Sequence, residues 1–258
     1  MRIDTFAYAG ENDLLEIRLN TLKNIIDQTI IIESNLSHTL IPKPLFFPES
    51  RERFSQFNIK YIVADFNYPN PFYNDWAGRV AVFDAIFDRK FDNIIIHSDL
   101  DEIPNPEKLK EVIDNLKEPV CLNGDYYFFC ADLWGRKSND ALVMKYGWVQ
   151  QPLYKYRDAR NSEMIKKINN ASWHFSSVGK PEEIARKWQY FSHASELEQK
   201  YKNPEYIIKQ IKRKAGSWSD QAPDNELMPV PHEYPYLPKY LIENEKKFKH
   251  LFYDYYNK

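Results

Sequence analysis

The residues best suited to chemistry lie in one short run, Ser98-Asp99-Leu100-Asp101-Glu102. Two carboxylates one residue apart, at the exit of a strand, can both turn toward one hard cation once the backbone leaves its extended pairing. Mg²⁺ or Mn²⁺ prefers such oxygen ligands and keeps positions open for substrate phosphates. A cation held there neutralises charge developing on a departing diphosphate, acting as a Lewis acid. The bare Asp-x-Asp triplet is a weak signal, because acids this close together are ordinarily a solvated loop. Its setting strengthens it. Asn93-Ile94-Ile95-Ile96-His97 before it reads as a buried strand, and Asn105-Pro106 after it is a helix start, an N-cap with proline at the first helical position. Ligands of open α/β sheets bind there, outside the carboxyl ends of the strands.

The elements that position this run alternate along the chain. Residues 3–9 read as a strand ending at Gly10, and residues 13–26 as a helix carrying Leu15, Leu19, Leu22 and Ile26 on one face. Thr29-Ile30-Ile31-Ile32-Glu33 is a continuous β-branched run of the kind covered on both faces in a parallel sheet. Pro42, Pro44 and Pro48 then predict a loop, residues 60–64 a short strand, and residues 75–89 a helix through Trp76, Val80, Phe83 and Phe87. Leu109, Val112, Ile113 and Leu116 face one way after Pro106, and residues 120–129 read as a strand. Poor periodicity over residues 134–170 predicts loops and a short helix above the site. Helices follow over 181–191, 202–215 and 239–252, with a proline-rich irregular stretch at 217–236. The pattern is α/β, with a Rossmann-like, mostly parallel central sheet flanked by helices. Residues 1–200 form the main domain, and residues 201–258 a helical and irregular extension packed on it.

Composition is globular, with 43% hydrophobic and 28% charged residues among 258. Aromatics reach 16% against 7 glycines, which supplies buried area and, where exposed, flat faces that stack on sugars. A net charge of −2 gives no field to gather nucleic acid. The N-terminus shows no leader and the chain no apolar run of membrane-spanning length, so it reads as soluble and cytoplasmic. The basic segment 209–214 leaves room for a peripheral membrane contact, although a solvated helix face is the ordinary state of such a run. Cys121 and Cys130 make neither a disulfide scaffold nor a zinc site and read as packing residues.

Several segments in order carry a resemblance to a known family: Glu11-Asn12-Asp13-Leu14-Leu15-Glu16-Ile17-Arg18, Glu33-Ser34-Asn35 with Pro42-Lys43-Pro44-Leu45, and Ser98-Asp99-Leu100-Asp101-Glu102-Ile103-Pro104. Trp173-His174-Phe175-Ser176, Pro181-Glu182 with Lys187, and Pro238-Lys239-Tyr240-Leu241 follow. Across nearly the whole chain the sequence resembles glycosyltransferase family 17. The resemblance implies a GT-A fold, a UDP-sugar donor with N-acetylglucosamine as the sugar to test first, a divalent cation (Mn²⁺ or Mg²⁺), a glycan acceptor and inverting transfer.

On that basis Asp101 is the first choice for a direct metal ligand, with Asp99 nearer the ribose and bridging waters, and Glu102 either a further ligand or the residue that orients the loop. His174 completes the metal shell or contacts the diphosphate, or else is a hydrogen-bonded core residue. Arg79 and Lys187 are candidates for diphosphate contacts, and Glu33, Ser34 and Asn35 for uracil or ribose. Glu182 is the candidate general base, although a carboxylate in a first helical turn is also stabilised simply by the helix dipole. Asp132, Glu163 and Glu196 stand behind it. Tyr126, Tyr127, Trp134 and Trp148 are either acceptor platforms or packing. Two other classes compete, a metal-dependent nucleotidyltransferase and a non-catalytic carbohydrate-binding protein. The first usually carries a glycine-rich phosphate loop, yet Gly10 is the only glycine before Gly78. The second gives no reason for the Asp99 and Asp101 arrangement.

Overall fold

The computed structural model describes residues 1–86 and 90–257. Its first half runs β1 (Arg2–Ala7), α1 (Asn12–Leu22), β2 (Gln28–Glu33), α2 (Phe46–Ser50), β3 (Ile59–Val63), α3 (Pro71–Ile86) and β4 (Ile94–His97). These four strands are parallel in the order β3-β2-β1-β4, with Ile3 opposite both Gln28 and Ile95. The isoleucine runs work because both faces are covered. Side chains alternate across a strand, so Ile31 joins Leu15 and Ile17 of α1, while Ile30 and Ile32 join Val82 and Ile86 of α3.

The second half comprises β5 (Glu102–Pro104), α4 (Pro106–Asp114), β6 (Val120–Phe128), β7 (Leu133–Lys145), α5 (Leu153–Ala159), β8 (Lys166–Ile168), β9 (Ser172–Ser176), α6 (Pro181–Tyr190), α7 (Pro204–Arg213), β10 (Met228–Pro229) and α8 (Lys239–Glu243). The sheet continues β4-β7-β6-β9-β5, with β10 on β7 and β8 on β6. Here β7 runs antiparallel to both β4 and β6, and β5 antiparallel to β9. The protein is thus a mixed α/β molecule with a central sheet flanked by helices. The expected parallel character holds throughout the half from β3 to β4, and in the other half for β6 with β8 and β9, where β7, β5 and β10 add antiparallel pairs.

Several elements differ from the sequence reading, among them the short helix α2, which runs through Pro48 where a loop was expected because proline is tolerated in a first helical turn. Residues 133–145 form the longest strand, where loops were expected. Its outer part, around Arg136 and Lys137, is partly exposed, while Ala141 to Met144 are all buried, so neither half shows a clean period of two. The helix expected over 239–252 stops at Glu243, because Asn244 leaves helical geometry at φ −114°, ψ 23°. The helix expected from residue 75 starts earlier, at Pro71, and its predicted end at Phe87 to Arg89 lies outside the described residues. Among the described residues, no helix is long and apolar enough to cross a membrane.

The C-terminal segment shares a core with the first βα unit. Leu237, Leu241, Phe248 and Leu251 pack with Phe6, Leu15 and Ile17. Polar contacts reinforce this. Asp13 on α1 accepts from Arg53 at 2.7 Å and pairs with His250 at 2.7 Å, and Glu16 accepts from Tyr240 at 2.7 Å and pairs with Lys247. Burial would raise the Asp13 carboxyl, but bonds from His250 and Arg53 outweigh it and bring it from 3.8 to about 2. A carboxylate with a depressed folded pKa stabilises above its unfolded value and loses that contribution as pH falls toward the folded one. The stability difference between wild type and Asp13→Asn should therefore be constant above pH 4 and vanish between pH 4 and about 2, read by urea unfolding at each pH. A difference that persists at pH 2 would contradict this.

Candidate active site

The acidic run leaves the end of β4 as a tight loop, and a buried arginine holds it. Arg18 lies on the apolar face of α1, its guanidinium 4.5 Å from the Phe6 ring and its side chain fully buried. It donates to both oxygens of Asp4 in β1, at 2.8 and 2.6 Å, and to the Ser98 hydroxyl at 2.7 Å. It also donates to the carbonyls of Asp99, Leu100 and Glu102, at 2.9, 3.1 and 2.8 Å. An irregular loop has carbonyls that no ladder pairs, and buried ones need partners. One guanidinium supplies three, in a planar fork that a lysine could not match.

Pairing of β5 with β9 sets Glu102 opposite His174, and Phe175 donates to the Asp101 carbonyl at 2.8 Å. Asp101 and His174 are thereby brought side by side, with Asp101 Oδ1 and His174 Nε2 3.9 Å apart. Each acid of the run meets a cation. Asp99 is bound by Arg79 at 2.9 Å and by Arg157, Glu102 by Arg157 at 2.9 Å and Arg160 at 2.6 Å, and Asp101 by Lys187 at 2.9 Å. Burial would raise the carboxyls of Asp99 and Glu102, but the arginine charges, Arg157 foremost, hold both well below the usual range. Burial would lower His174, yet the hydrogen bond its Nδ1 makes to Asp140 at 3.2 Å and the charges of Asp101 and Asp140 push it up to about 9.

Glu102, Asp140 and His174 each present one possible ligand atom within 4.8 Å of the others. Glu102 is fully occupied by arginines, and Asp140 is bonded to Ser172 and His174, so these two support the site rather than face a ligand. The outward pair is Asp101 Oδ1 with His174 Nε2. Raised as it is, His174 ligates only when a cation displaces its Nε2 proton, and a histidine that bonds a carboxylate through the other ring nitrogen is the usual supported metal ligand. With a carboxylate beside it, the donor set fits a hard or borderline divalent cation.

These groups open on a cavity of about 580 Å³ at the carboxyl ends of β1, β2 and β4, bordered by Tyr8, Ser34, Arg79, Asp99, Asp101 and His174. Among the described residues, Arg79 Nη1 and His38 Nδ1 are buried there without a hydrogen-bond partner. Residues 2–254 match the profile described as glycosyltransferase family 17. This chain belongs to glycosyltransferase family 17. It is also 23% identical, over 284 aligned positions, to the β-1,4-mannosyl-glycoprotein 4-β-N-acetylglucosaminyltransferases of Rattus norvegicus, Mus musculus and Homo sapiens. Each alignment covers 93% of this chain and 52–53% of the relative, so the chain spans about half the length of the curated relatives it matches.

In this family 17 chain Arg79, Asp99, Asp101, His174 and Lys187 meet at the cavity, together with Ser34. Glu33 borders it too, but its carboxylate accepts from the Phe46 and Phe47 amides at 2.7 and 3.1 Å and from Tyr61 at 2.9 Å, holding the start of α2. Asn35 is exposed and outside the cavity wall. Glu182 is likewise exposed and outside it; the residues of α6 that reach the cavity are Lys187, Trp188 and Tyr190. Asp132 is buried under His232, at 3.0 Å, and Glu196 is exposed beside His193. Glu163 also lies outside the wall. Tyr127, Trp134 and Trp148 pack into the core, and Tyr126 lies edge-on to His174 at 5.0 Å.

Sequence reasoning missed Arg18, Asp4, Asp140, Arg157 and Arg160. For the first two a signal existed, an acid inside the strand Ile3-Asp4-Thr5-Phe6 and an arginine among Leu14, Leu15, Ile17 and Leu19. Removing one partner of a buried pair strands the other, so Arg18→Met should cost about 3–5 kcal/mol by urea unfolding. A loss below about 1 kcal/mol, the range of exposed pairs, would show that the loop does not depend on this residue.

Proposed function

We propose that this family 17 chain transfers a sugar, N-acetylglucosamine being the first to test, from a UDP-sugar to a glycan hydroxyl with inversion at the anomeric carbon. A divalent cation, Mn²⁺ or Mg²⁺, assists. The observation that carries this is the convergence of Asp101, His174, Arg79 and Lys187 on one cavity at the sheet's carboxyl edge. The order β3-β2-β1-β4 with the acidic loop after β4 supports a GT-A type domain over residues 1–200, with residues 201–258 as an extension on the same body. Family membership favours transfer over the nucleotidyltransferase and over a purely binding role.

Asp101 Oδ1 and His174 Nε2 would hold the cation, with Asp140 keeping the imidazole turned toward it. Bound there, the cation supplies Lewis-acid neutralisation of the leaving diphosphate. The chain adds its own charges. Arg79, anchored by Asp75 at 3.2 Å and Asp99 at 2.9 Å, has an Nη1 that meets no partner among the described residues and can donate to a diphosphate oxygen. Lys187, held by Asp101 and Glu11, stands on the other side of the same acid. Preset cations of this kind stabilise developing charge without reorganising during reaction.

Calorimetry of UDP with Mn²⁺ tests the assignment. Wild type should bind UDP only when the metal is present, chelator should abolish the heat, and Asp101→Ala should lose metal-dependent binding with little change in melting temperature. His174→Ala should weaken it in the same assay. Unchanged affinity in the Asp101 variant would remove that residue from the site, and no turnover of any nucleotide sugar by wild type would overturn the reading.

A further inference from the structure

Inverting transfer needs a carboxylate that is ionised and unoccupied, placed where the acceptor hydroxyl attacks. The acids bordering the cavity are nearly all taken. Glu11 and Asp101 bind Lys187, Glu33 holds the start of α2, Asp75 binds Arg79, and Asp99 binds two arginines. A carboxylate beside a cation is a poorer base, because the charge favours its ionised form. Among the described residues, Asp158 is the one acid on the cavity wall with no ion pair or hydrogen bond.

Its surroundings fit an acceptor. Asp158 lies on α5 next to Arg157, whose guanidinium reaches Asp99 and Glu102, so the helix is pinned to the acidic loop. One turn earlier, Tyr154 stacks on Trp76 of α3 with ring centroids 5.3 Å apart and planes 16° from parallel. Residues four apart share a helix face, so Asp158 follows Tyr154 along the side of α5 that meets α3. From α3, Phe72, Trp76 and Gly78 border the same cavity, and Phe72 is 38% exposed. Gly78 lies within a helix, where glycine is less stable than alanine. Among the described residues, leaving aside its chain neighbours and the backbone of its own helix, no atom lies within 4 Å of where its Cβ would stand, so tertiary packing gives no reason for the glycine. An aromatic edge, an open gap and an unoccupied carboxylate are what a pyranose ring with a reacting hydroxyl requires.

We propose that the wall made by α3 and α5 holds the acceptor sugar, and that Asp158 is the general base. This rests on the glycosyl-transfer reading above. As the acceptor oxygen bonds to the anomeric carbon, its proton passes to the Asp158 carboxylate. The bond from that carbon to the diphosphate oxygen breaks, and the electron pair leaves with the diphosphate.

The test uses UDP-N-acetylglucosamine and Mn²⁺ without added acceptor, so that water takes the acceptor's place and released UDP is the readout. Asp158→Asn should slow UDP release by about 10²–10⁴-fold, the usual contribution of a general base, while UDP affinity by calorimetry stays unchanged. Asp158→Ala should be equally slow and recover on adding formate, a small carboxylate that fits the space left. UDP release at the wild-type rate in Asp158→Asn overturns the inference and leaves the transfer reading intact. A slow Asp158→Ala that formate does not restore also overturns the base role, since it points to a positional effect through Arg157. If wild type releases no UDP from this or any other nucleotide sugar, the transfer reading falls and the inference falls with it.

Discussion

A single buried guanidinium makes the rest of the site possible. Arg18 joins α1, β1 and the loop after β4 by pairing with Asp4 and donating to three consecutive-turn carbonyls, those of Asp99, Leu100 and Glu102. A loop that must aim two carboxylates into a cavity cannot also lie in a ladder, and its carbonyls would otherwise be buried without partners. A buried ion pair is not by itself evidence of stability, because desolvation offsets much of the attraction. Here its value is positional. It fixes backbone whose side chains are thereby free to face a ligand.

From that anchor outward the site is a set of matched charges. Asp99, Glu102 and Asp101 each meet an arginine or lysine from α3, α5 or α6, so three helices are tied to one loop. Among the described residues, the polar groups of the site left without a partner lie on the cavity side: Arg79 Nη1, His38 Nδ1, the outer face of His174, and one oxygen of Asp101. That remainder complements a cation and an anionic oxygen, which is the chemistry of a metal-bound diphosphate. The packing of the C-terminal segment against α1 matters for the same reason, since it buries the outer face of the helix that carries Arg18.

Much of this could be read from the sequence where local physics decides the outcome. The isoleucine runs of β2 and β4 need cover on both faces, and Asn105 with Pro106 starts α4 as expected, its side chain accepting from the Glu107 and Lys108 amides at 3.0 and 3.2 Å. What stayed hidden is long-range. Strand β7 exists because β4 and β6 supply its partners, and its own residues change from exposed to buried halfway along. Arg157 and Arg160 come from that same unpatterned region, so no spacing pointed to the acids they bind. Glu182 drew attention because it follows Pro181 at a helix start in a segment that resembles the family, and a position at a helix start says nothing about which way the helix faces. Lys187 lies five residues further on, about 140° around the helix, and it is the one that meets the cavity.

In the function proposed above, the loop held by Arg18 presents Asp101, with His174 beside it, to a metal-bound nucleotide diphosphate. Diffraction from crystals grown with UDP and Mn²⁺, recorded at the manganese absorption edge, tests it most directly. One anomalous peak is expected in bonding contact with Asp101 Oδ1 and His174 Nε2, with the diphosphate on the metal and an oxygen near Arg79 Nη1. Manganese bound elsewhere, or a diphosphate held in the cavity by Arg79 and Lys187 with no metal peak, would contradict it.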